Sequence, residues 1–223
     1  MPRISRVVIP EHPHHITQRG NNQQDVFIDD TDRKKYLLLI NEYSQRYGIT
    51  ILSYCLMSNH VHFIVVPKTK ESLSRTFNFA HVQYSKYYNH KKNLKGHLWQ
   101  NRFYSCVLDE KHLICAARYI ERNPARASIV KNPSEWEWSS ASYNCGLCAN
   151  NIIKLGNLFD YTYVNKEGWN EYICSSETTD EVDAIKKCTL NGRPLGASTF
   201  VEGLETRLGR RLQALPRGRQ SRK

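Results

Sequence analysis

The chain has 223 residues, of which 40% are hydrophobic and 24% are charged, a composition typical of an ordinary globular protein. This length suits one domain with an appendage, or two small domains. No apolar run approaches the ~20 residues that a membrane span needs. No apolar segment follows the polar residues 1–6, as a signal peptide would require. We therefore expect the protein in the cytoplasm.

Basic residues outnumber acidic ones, which gives a formal net charge of +11 and a pI near 9.4. Such an excess favours a polyanionic partner, through phosphate contacts and the release of counterions. A solvated basic surface without a partner would give the same charge. The 13 tyrosines favour nucleic acid, because aromatic rings stack on unpaired bases.

Seven cysteines are scattered along the chain. An odd number of cysteines without an export signal indicates reduced thiols. Cys145 and Cys148 have the spacing of a metal-binding pair, but no second pair lies nearby in the sequence. We do not expect a zinc site.

The first half of the chain predicts three strands and a helix. Residues 13–22 are predicted to be a short strand running into a polar turn. Gly48 is predicted to end the first helix, which begins at an N-cap, Asp29 or Asp30. Residues 49–57 then form a second strand, and a turn leads into a third strand that starts at residue 60.

A second helix over residues 71–89 carries an apolar stripe and a basic polar side. A fourth strand ends near Leu108, and a third helix spans residues 111–123. This order of strands and helices is the split βαβ pattern of a ferredoxin-like α+β fold. We predict an antiparallel sheet with helices on one face, which leaves the other face free for a ligand.

Two histidines in the third strand are candidate metal ligands. His60 and His62 alternate along the strand and share a face, while Val61 points to the other face. Two neutral imidazoles on one rigid strand can hold one metal ion. The alternative is a pair of unrelated histidines in a half-buried strand. His14 and His15 are also possible ligands, although packing or surface positions are the favoured interpretation.

The third helix supplies a possible nucleophile. Tyr119 and Asn123 are four residues apart and therefore lie on one helix face, and Pro124 is expected to fix the end of the helix at Asn123. The imidazoles and the amide oxygen would hold a divalent cation, and the phenol beside it would be the nucleophile. The alternative is that Tyr119 is a core aromatic residue and Asn123 a C-cap.

Four segments together resemble a known family. Residues 56–62, Leu-Met-Ser-Asn-His-Val-His, resemble the His-hydrophobic-His motif of the single-tyrosine transposases of the HUH superfamily. Residues 119–124, Tyr-Ile-Glu-Arg-Asn-Pro, resemble the tyrosine helix of that family, and residues 96–103 and 138–140 also match its pattern. The resemblance is greatest to the REP-associated tyrosine transposases, domesticated relatives of IS200-like mobile elements, and it covers about residues 4–143.

This resemblance implies an enzyme that cuts and rejoins single-stranded DNA. His60, His62 and Asn123 would hold Mg²⁺ or Mn²⁺, although His ligands alone fit zinc equally well. Tyr119 would attack a DNA phosphate, leaving a 5′-phosphotyrosine and a free 3′-OH, so that rejoining needs no ATP. The implied partner is a hairpin, a repetitive extragenic palindrome.

We assign candidate DNA contacts to Arg19, Asn21, Trp99 and Arg102, although Arg102 could equally be a structural ion-pair residue. The predicted transposase domain spans residues 1–145. Residues 146–223 form a predicted helical extension that ends in a basic tail. This tail is expected to be disordered alone and ordered on nucleic acid, or to serve only solubility. Whether the extension binds the hairpin or restrains the active site stays open.

Three hypotheses follow. The first is a metal-dependent enzyme that nicks and joins DNA through a tyrosyl adduct, and the motifs favour it. The second is a hairpin-binding protein with little or no catalysis. The third is a metal-dependent hydrolase that uses water and is indifferent to Tyr119. We expect a monomer, with a dimer as the alternative.

Overall fold

The computed structural model describes residues 6–213. The basic tail predicted beyond residue 213 lies outside the described residues. None of the helices within residues 6–213 combines the length and apolar character that a transmembrane segment needs.

The centre of the fold is a four-stranded sheet. Its strands are β1 (His14–Arg19), β2 (Ile49–Leu56), β3 (His60–Pro67) and β4 (Tyr104–Val107). They lie in the order β2-β3-β1-β4, and every neighbouring pair is antiparallel. This is the sheet order of the split βαβ unit, with the third strand inserted between the first and second. The predicted α+β, ferredoxin-like fold is confirmed.

Two long helices, α1 (Asp30–Tyr47) and α2 (Ser72–Lys92), cover one face of the sheet. The side chain of Asp29 accepts a hydrogen bond from the Asp32 backbone N–H at the start of α1, and Gly48 ends the helix with φ 67°. These are a typical N-cap and a typical left-handed C-cap. The buried side chains between helices and sheet are largely aromatic, among them Tyr36, Phe63, Phe77 and Tyr84.

The opposite face of the sheet is only partly free, which corrects the prediction that helices lie on one face alone. Helix α3 (Glu110–Glu121) packs there, against Ile64 and Val66 of β3. The reason is the pattern of α3, whose apolar residues form one stripe that must be buried. Periodicity shows that such a stripe exists but not which face of the sheet receives it. The part of this face that stays open lies at the end of β3 that carries His60 and His62.

Residues after the sheet also pack on this second face. They include α5 (Ala141–Asn144), α6 (Trp169–Cys174) and α7 (Thr179–Asn191). Helix α8 (Ser198–Leu208) packs instead with Val7, Ile9 and Val107 in a separate apolar cluster. Trp169 and Ile185 join the same apolar cluster as the sheet and α3. After α7, Gly192 takes φ 67°, and the turn brings Leu195 beside Leu108 in a parallel bridge at the end of β4. The turn at residues 191–196 therefore docks the extension on the sheet.

Candidate active site

The site is built on the partly open face of the sheet, where β1 and β3 lie side by side. His60 and His62 share this face, and their ring centroids are 5.1 Å apart. Val61 belongs to the apolar cluster on the other face, as the period-two pattern predicts. In the β1–β3 register Arg19 is opposite His60 and Thr17 is opposite His62. Cross-strand pairs are close neighbours, so a guanidinium and a hydroxyl flank the two imidazoles.

Each imidazole is held through its Nδ1 atom. His60 Nδ1 lies 2.6 Å from the Asn59 side-chain oxygen, which can only accept, so this nitrogen carries the proton. His62 Nδ1 lies 2.9 Å from His15 Nε2, and the other nitrogen of His15 lies 2.7 Å from Thr189 Oγ1. Neither His60 Nε2 nor His62 Nε2 has a hydrogen-bond partner among residues 6–213.

Burial keeps these rings uncharged. Desolvation lowers the pKa of His60 to about 4, with further lowering by Arg19 and Arg126. Desolvation likewise lowers the pKa of His15 to about 3 and the pKa of His62 well below its ordinary value. Neutral imidazole is the form that binds metals.

Tyr119 of α3 lies on the same side of the sheet as the imidazoles. Its ring meets that of His62 edge-on, with centroids 5.6 Å apart, and it is 6% exposed. Its hydroxyl makes no hydrogen bond to any described residue. Burial raises the pKa of the phenol, while Arg126 acts in the opposite direction. The hydroxyl therefore stays protonated at neutral pH.

Asn123 begins a separate helical turn, α4 (Asn123–Arg126). This corrects the prediction that Pro124 ends the helical path at Asn123. Proline is tolerated at the first positions of a helix, and here it lies near the start of α4. The added turn brings Arg126 back to the site, where its guanidinium donates a hydrogen bond to Asn123 Oδ1. Asn123 Nδ2 is buried and has no partner among the described residues.

The extension is tied to the tyrosine helix by ion pairs. Arg126 lies 2.7 Å from a carboxylate oxygen of Glu177, and Arg122 lies 3.0 Å from the other oxygen. One turn earlier, Arg118 pairs with Glu181 at 2.9 Å. The Glu177 side chain is 6% exposed. These partly buried pairs fix α3 and α4 relative to residues 174–181.

The predicted residues open onto two neighbouring clefts. His60, His62, Tyr119, Asn123 and Arg19 all line a cleft of about 610 Å³, here called the imidazole cleft. Helix α7 supplies its far wall, through Lys186, Thr189 and Leu190.

The other three candidate DNA contacts, Asn21, Trp99 and Arg102, line a second cleft of about 710 Å³ beside α2. Gln100 lines both clefts. Arg102 is exposed and makes no ion pair with any described residue. Trp99 is 9% exposed, its Nε1 donates to the His81 carbonyl at 3.3 Å, and most of its surface is packed in the core.

The sequence did not indicate three residues of the imidazole cleft and its support, Arg126, Glu177 and Thr189, and a packing or surface position was favoured for His15 over a place in the site. His15 had a usable signal, since His15, Thr17 and Arg19 alternate on β1 and so share a face. Arg126 lies three residues after Asn123, which is helical spacing, but Pro124 predicted that the helix ends before Arg126. Glu177 and Thr189 carry no local signal, because only the packing of the extension brings them here.

These residues suit a divalent cation. Two neutral imidazoles offer their Nε2 atoms while Nδ1 of each is hydrogen-bonded, as is usual for metal-binding histidines. Asn123 adds an amide group whose nitrogen is unpaired. Within residues 6–213 no group of three or more His, Cys, Asp or Glu side chains could hold a metal. A cation here would therefore take the Asn123 amide as a third protein ligand, and oxygens of water or of a bound substrate would complete its coordination.

Comparison with known proteins places this geometry in a family. A family model described as "Transposase IS200 like" matches residues 9–123, just over half of the chain. No curated protein matches the chain. A solved structure of a REP-associated tyrosine transposase bound to a REP hairpin is 21% identical and has a TM-score of 0.53. The alignment covers 72% of this chain and 95% of that one, and it shows the shared fold.

A crystal structure of a transposase from Deinococcus radiodurans R1 is 16% identical over 54% of this chain and 96% of that one, with a TM-score of 0.37. The family model covers β1 through Asn123, and so includes both histidines of the third strand and the tyrosine of α3. The chain belongs to the IS200-like transposase family.

Proposed function

We propose that the protein nicks and rejoins single-stranded DNA beside a hairpin, through a covalent bond between Tyr119 and a 5′-phosphate. The observation that carries this proposal is the position of the Tyr119 ring, 5.6 Å from the His62 ring on the same face of the sheet. A phenol, two imidazoles and an amide line one cleft that also carries positive charge. Membership in the IS200-like transposase family supports the same chemistry.

In the nicking step the Tyr119 hydroxyl oxygen attacks the phosphorus atom of a DNA phosphodiester. The P–O3′ bond breaks, the phenol loses its proton, and the 3′ oxygen takes up a proton to become a free 3′-OH. Rejoining is the reverse attack by a 3′-OH on the phosphotyrosine, which releases Tyr119. The number of phosphodiester bonds is conserved, so no ATP is needed.

His60, His62 and Asn123 would hold Mg²⁺ or Mn²⁺. A bound divalent cation would neutralise charge on the phosphate oxygens and orient the phosphate for attack. This assistance is needed because a phenol with a pKa near 10 is a weak nucleophile at neutral pH, and burial raises the pKa of Tyr119 further. Asn123 would serve through its amide oxygen, which Arg126 already orients.

A hairpin substrate is supported by charge and by likeness. The related solved structure is described as bound to a REP hairpin, and this chain carries a net charge of +11. Arg19 and Lys186, both exposed, flank the imidazole cleft and suit the backbone phosphates of the strand. Asn21 and Arg102, in the second cleft, suit contacts with the hairpin stem or with the unpaired nucleotides at its base. Trp99 is the weakest of these candidates, because its ring packs in the core.

The test uses a labelled DNA hairpin with a single-stranded foot, incubated with the full-length protein and Mn²⁺. We expect a protein–DNA adduct that survives denaturing electrophoresis and carries the label only when the label lies 3′ of the nick. Tyr119→Phe should abolish the adduct while hairpin binding persists. Tyr104→Phe is the matched control, because Tyr104 lines the same cleft and should leave the adduct intact.

Each alternative gives a different result. Adduct formation by Tyr119→Phe at the wild-type level would reject Tyr119 as the nucleophile. Cleavage without any protein-linked DNA would indicate a hydrolase that uses water. Removal of the divalent cation with a chelator should stop adduct formation, whereas hairpin binding through Arg19 and Lys186 should continue.

A second candidate function is hairpin binding with little or no catalysis. It is favoured by one observation, that Arg126 occupies the Asn123 oxygen and covers the Tyr119 ring at 4.3 Å. If this arrangement persists on DNA, the amide and the phenol are both engaged elsewhere. Tight binding of the hairpin with no adduct in Mg²⁺ or in Mn²⁺ would favour this function.

A further inference from the structure

Three side chains that are distant in the sequence form a continuous series of hydrogen bonds, which ends at the imidazole cleft. Thr189 Oγ1 lies 2.7 Å from His15 Nδ1, and His15 Nε2 lies 2.9 Å from His62 Nδ1. All three side chains are buried, with exposures of 1%, 1% and 5% in that order. The two rings are nearly parallel, 15° apart. Thr189 belongs to α7, outside the segment that matches the family.

These hydrogen bonds can run in either of two donor-to-acceptor directions, and the two directions leave different groups of His62 facing the cleft. A neutral imidazole carries one N–H donor and one acceptor nitrogen. If Thr189 accepts, His15 carries its proton on Nδ1, His62 carries its proton on Nδ1, and His62 Nε2 keeps a free lone pair. If Thr189 donates, both rings carry their proton on Nε2. His62 then presents an N–H group to the cleft, which cannot bind a cation.

His60 does not have this ambiguity. Its Nδ1 faces the side-chain oxygen of Asn59, and a carbonyl oxygen only accepts, so the His60 Nε2 lone pair is always available. At His62 the neighbour is another imidazole, which can donate or accept. The tautomer of His62 therefore depends on His15, and that of His15 depends on the hydroxyl at position 189.

We propose that Thr189 is a positioning residue: it accepts a hydrogen bond from His15 and thereby holds His62 in the tautomer whose Nε2 lone pair faces the imidazole cleft. The inference rests on the proposed function in one respect, namely that His62 is a cation ligand. It gives the extension a defined part in the site, through a hydroxyl group.

The position of Thr189 is fixed by the turn that follows α7. Gly192 ends the helix in a left-handed conformation, three residues after Thr189. The Leu195 backbone N–H then donates to the Val107 carbonyl at 2.9 Å, at the end of β4. A side chain at Gly196 would displace its neighbours, since an added Cβ would lie 2.3 Å from the Phe200 ring and 3.0 Å from the Asp109 carboxylate. The end of α7 is thus attached to the sheet that carries His15.

The test reads the tautomer directly, in protein with ¹⁵N-labelled histidine and with no metal or DNA present. Long-range ¹H–¹⁵N correlation spectra distinguish the two neutral tautomers, and the spectrum of His62→Gln identifies the His62 signals. In the wild type we expect the proton on Nδ1. Thr189→Val removes the acceptor, so a buried N–H on His15 Nδ1 would be unpaired. We therefore expect the His62 proton to move to Nε2 in this variant.

Two further variants make the result specific. Thr189→Ser keeps the hydroxyl and should keep the wild-type tautomer. Thr179→Val makes the same chemical change at an exposed position of α7 and should change nothing. Binding of Mn²⁺ without DNA, followed by electron paramagnetic resonance, should weaken about 10- to 100-fold in Thr189→Val, which is typical when an outer hydrogen-bond partner of a ligand is lost.

The outcomes separate this inference from the proposed function. A wild-type His62 with its proton on Nε2 would overturn the inference, and so would an unchanged tautomer in Thr189→Val. The same shift in Thr189→Ser would also overturn it, because the hydroxyl is retained there. If wild-type protein forms no DNA adduct but its tautomer and Mn²⁺ binding change as expected, the proposed function fails and this inference stands.

Discussion

The guanidinium carbon of Arg126 lies 4.3 Å from the centroid of the Tyr119 ring. The same guanidinium donates to Asn123 Oδ1, to the Tyr119 carbonyl at 3.3 Å and to Glu177 at 2.7 Å. One planar group thus contacts the phenol, orients the amide and anchors both to the extension. Arginine suits this task because its donors have a rigid, planar arrangement.

Replacing Arg126 should therefore slow adduct formation. We expect Arg126→Ala to lower the adduct rate about 100-fold, since small displacements of reacting groups have effects of this size. The free energy of unfolding should fall by about 1–2 kcal/mol, from the lost hydrogen bonds and ring contact.

Arg126→Lys tests the geometric explanation. Lysine keeps the charge but cannot span Asn123 and Glu177 with one rigid plane, so its adduct rate should stay well below that of the wild type. The measurements are single-turnover adduct kinetics and urea denaturation. A faster adduct in Arg126→Ala would instead identify this arginine as a restraint on Tyr119.

The buried carboxylate of Glu121 should be important for stability but not for DNA chemistry. Its oxygens accept from Ser53, Ser140, Asn144 and Trp169 at 2.6–3.0 Å. In Glu121→Ala these buried donors lose their partner, and each donor left unsatisfied lowers the free energy of unfolding by about 1–3 kcal/mol. We expect the free energy of unfolding to fall by at least about 3 kcal/mol in urea denaturation.

The control for this prediction is Glu110→Ala, at an exposed position in the first turn of the same helix. There the change should cost only a few tenths of a kcal/mol, from the helix dipole. Similar losses in the two variants would contradict the structural part assigned to Glu121.

Stability should fall as the solution is acidified, in part through His14 and His81. Burial lowers the pKa of His14 to about 4 and that of His81 to about 3, against 6.5 for an unfolded chain. Below pH 6.5 the unfolded state binds protons that the folded state does not bind. Each histidine therefore lowers the free energy of unfolding by about 1.4 kcal/mol per pH unit as pH falls from 6.5 towards its folded pKa.

The contribution of His81 can be isolated by substitution. Its Nε2 lies 3.0 Å from the Tyr36 hydroxyl, so His81→Gln preserves a polar partner without a titratable group. Between pH 6 and pH 4 the unfolding free energy of this variant should change less steeply, by about 1.4 kcal/mol per pH unit. An unchanged slope would show that His81 is protonated in the folded protein.

Arg19 should contribute a phosphate contact near the nick. Arg19→Ala is expected to weaken binding of single-stranded hairpin DNA, and to make the plot of log affinity against log salt shallower by about 0.7 for one phosphate contact. Lys34→Ala is the matched control, because Lys34 is exposed on α1, which covers the opposite face of the sheet. Equal losses in the two variants would indicate a general effect of charge.

The sequence was sufficient to predict the four strands and the first three helices in their order. Strand alternation placed His60 and His62 on one face, and helical spacing placed Tyr119 and Asn123 together, because both patterns are local. The structure brings all four to one cleft. The partners of these residues were not predictable in the same way. Thr189 is 174 residues from His15 in the chain, and no periodic pattern connects them.

Local rules also failed where two of them conflicted. Pro124 is a strong signal for the end of a helix, yet the same residue is well suited to the start of the next turn, and the structure uses it in that way. Trp99, a candidate DNA contact by sequence, lines the second cleft, and its ring also contacts His81 with centroids 4.8 Å apart. At both positions the tertiary neighbours carry information that the local sequence does not.

The pairing of Arg118, Arg122 and Arg126 with Glu177 and Glu181 limits how this enzyme can be shortened or recombined. A fragment cut before Glu177 would leave Arg118, Arg122 and Arg126 without these carboxylate partners, and like charges four residues apart on a helix repel one another. A chimera that takes its C-terminal part from a related protein would need these arginines and glutamates to be exchanged together. A shortened variant should therefore keep residues 174–181 together with α3 and α4.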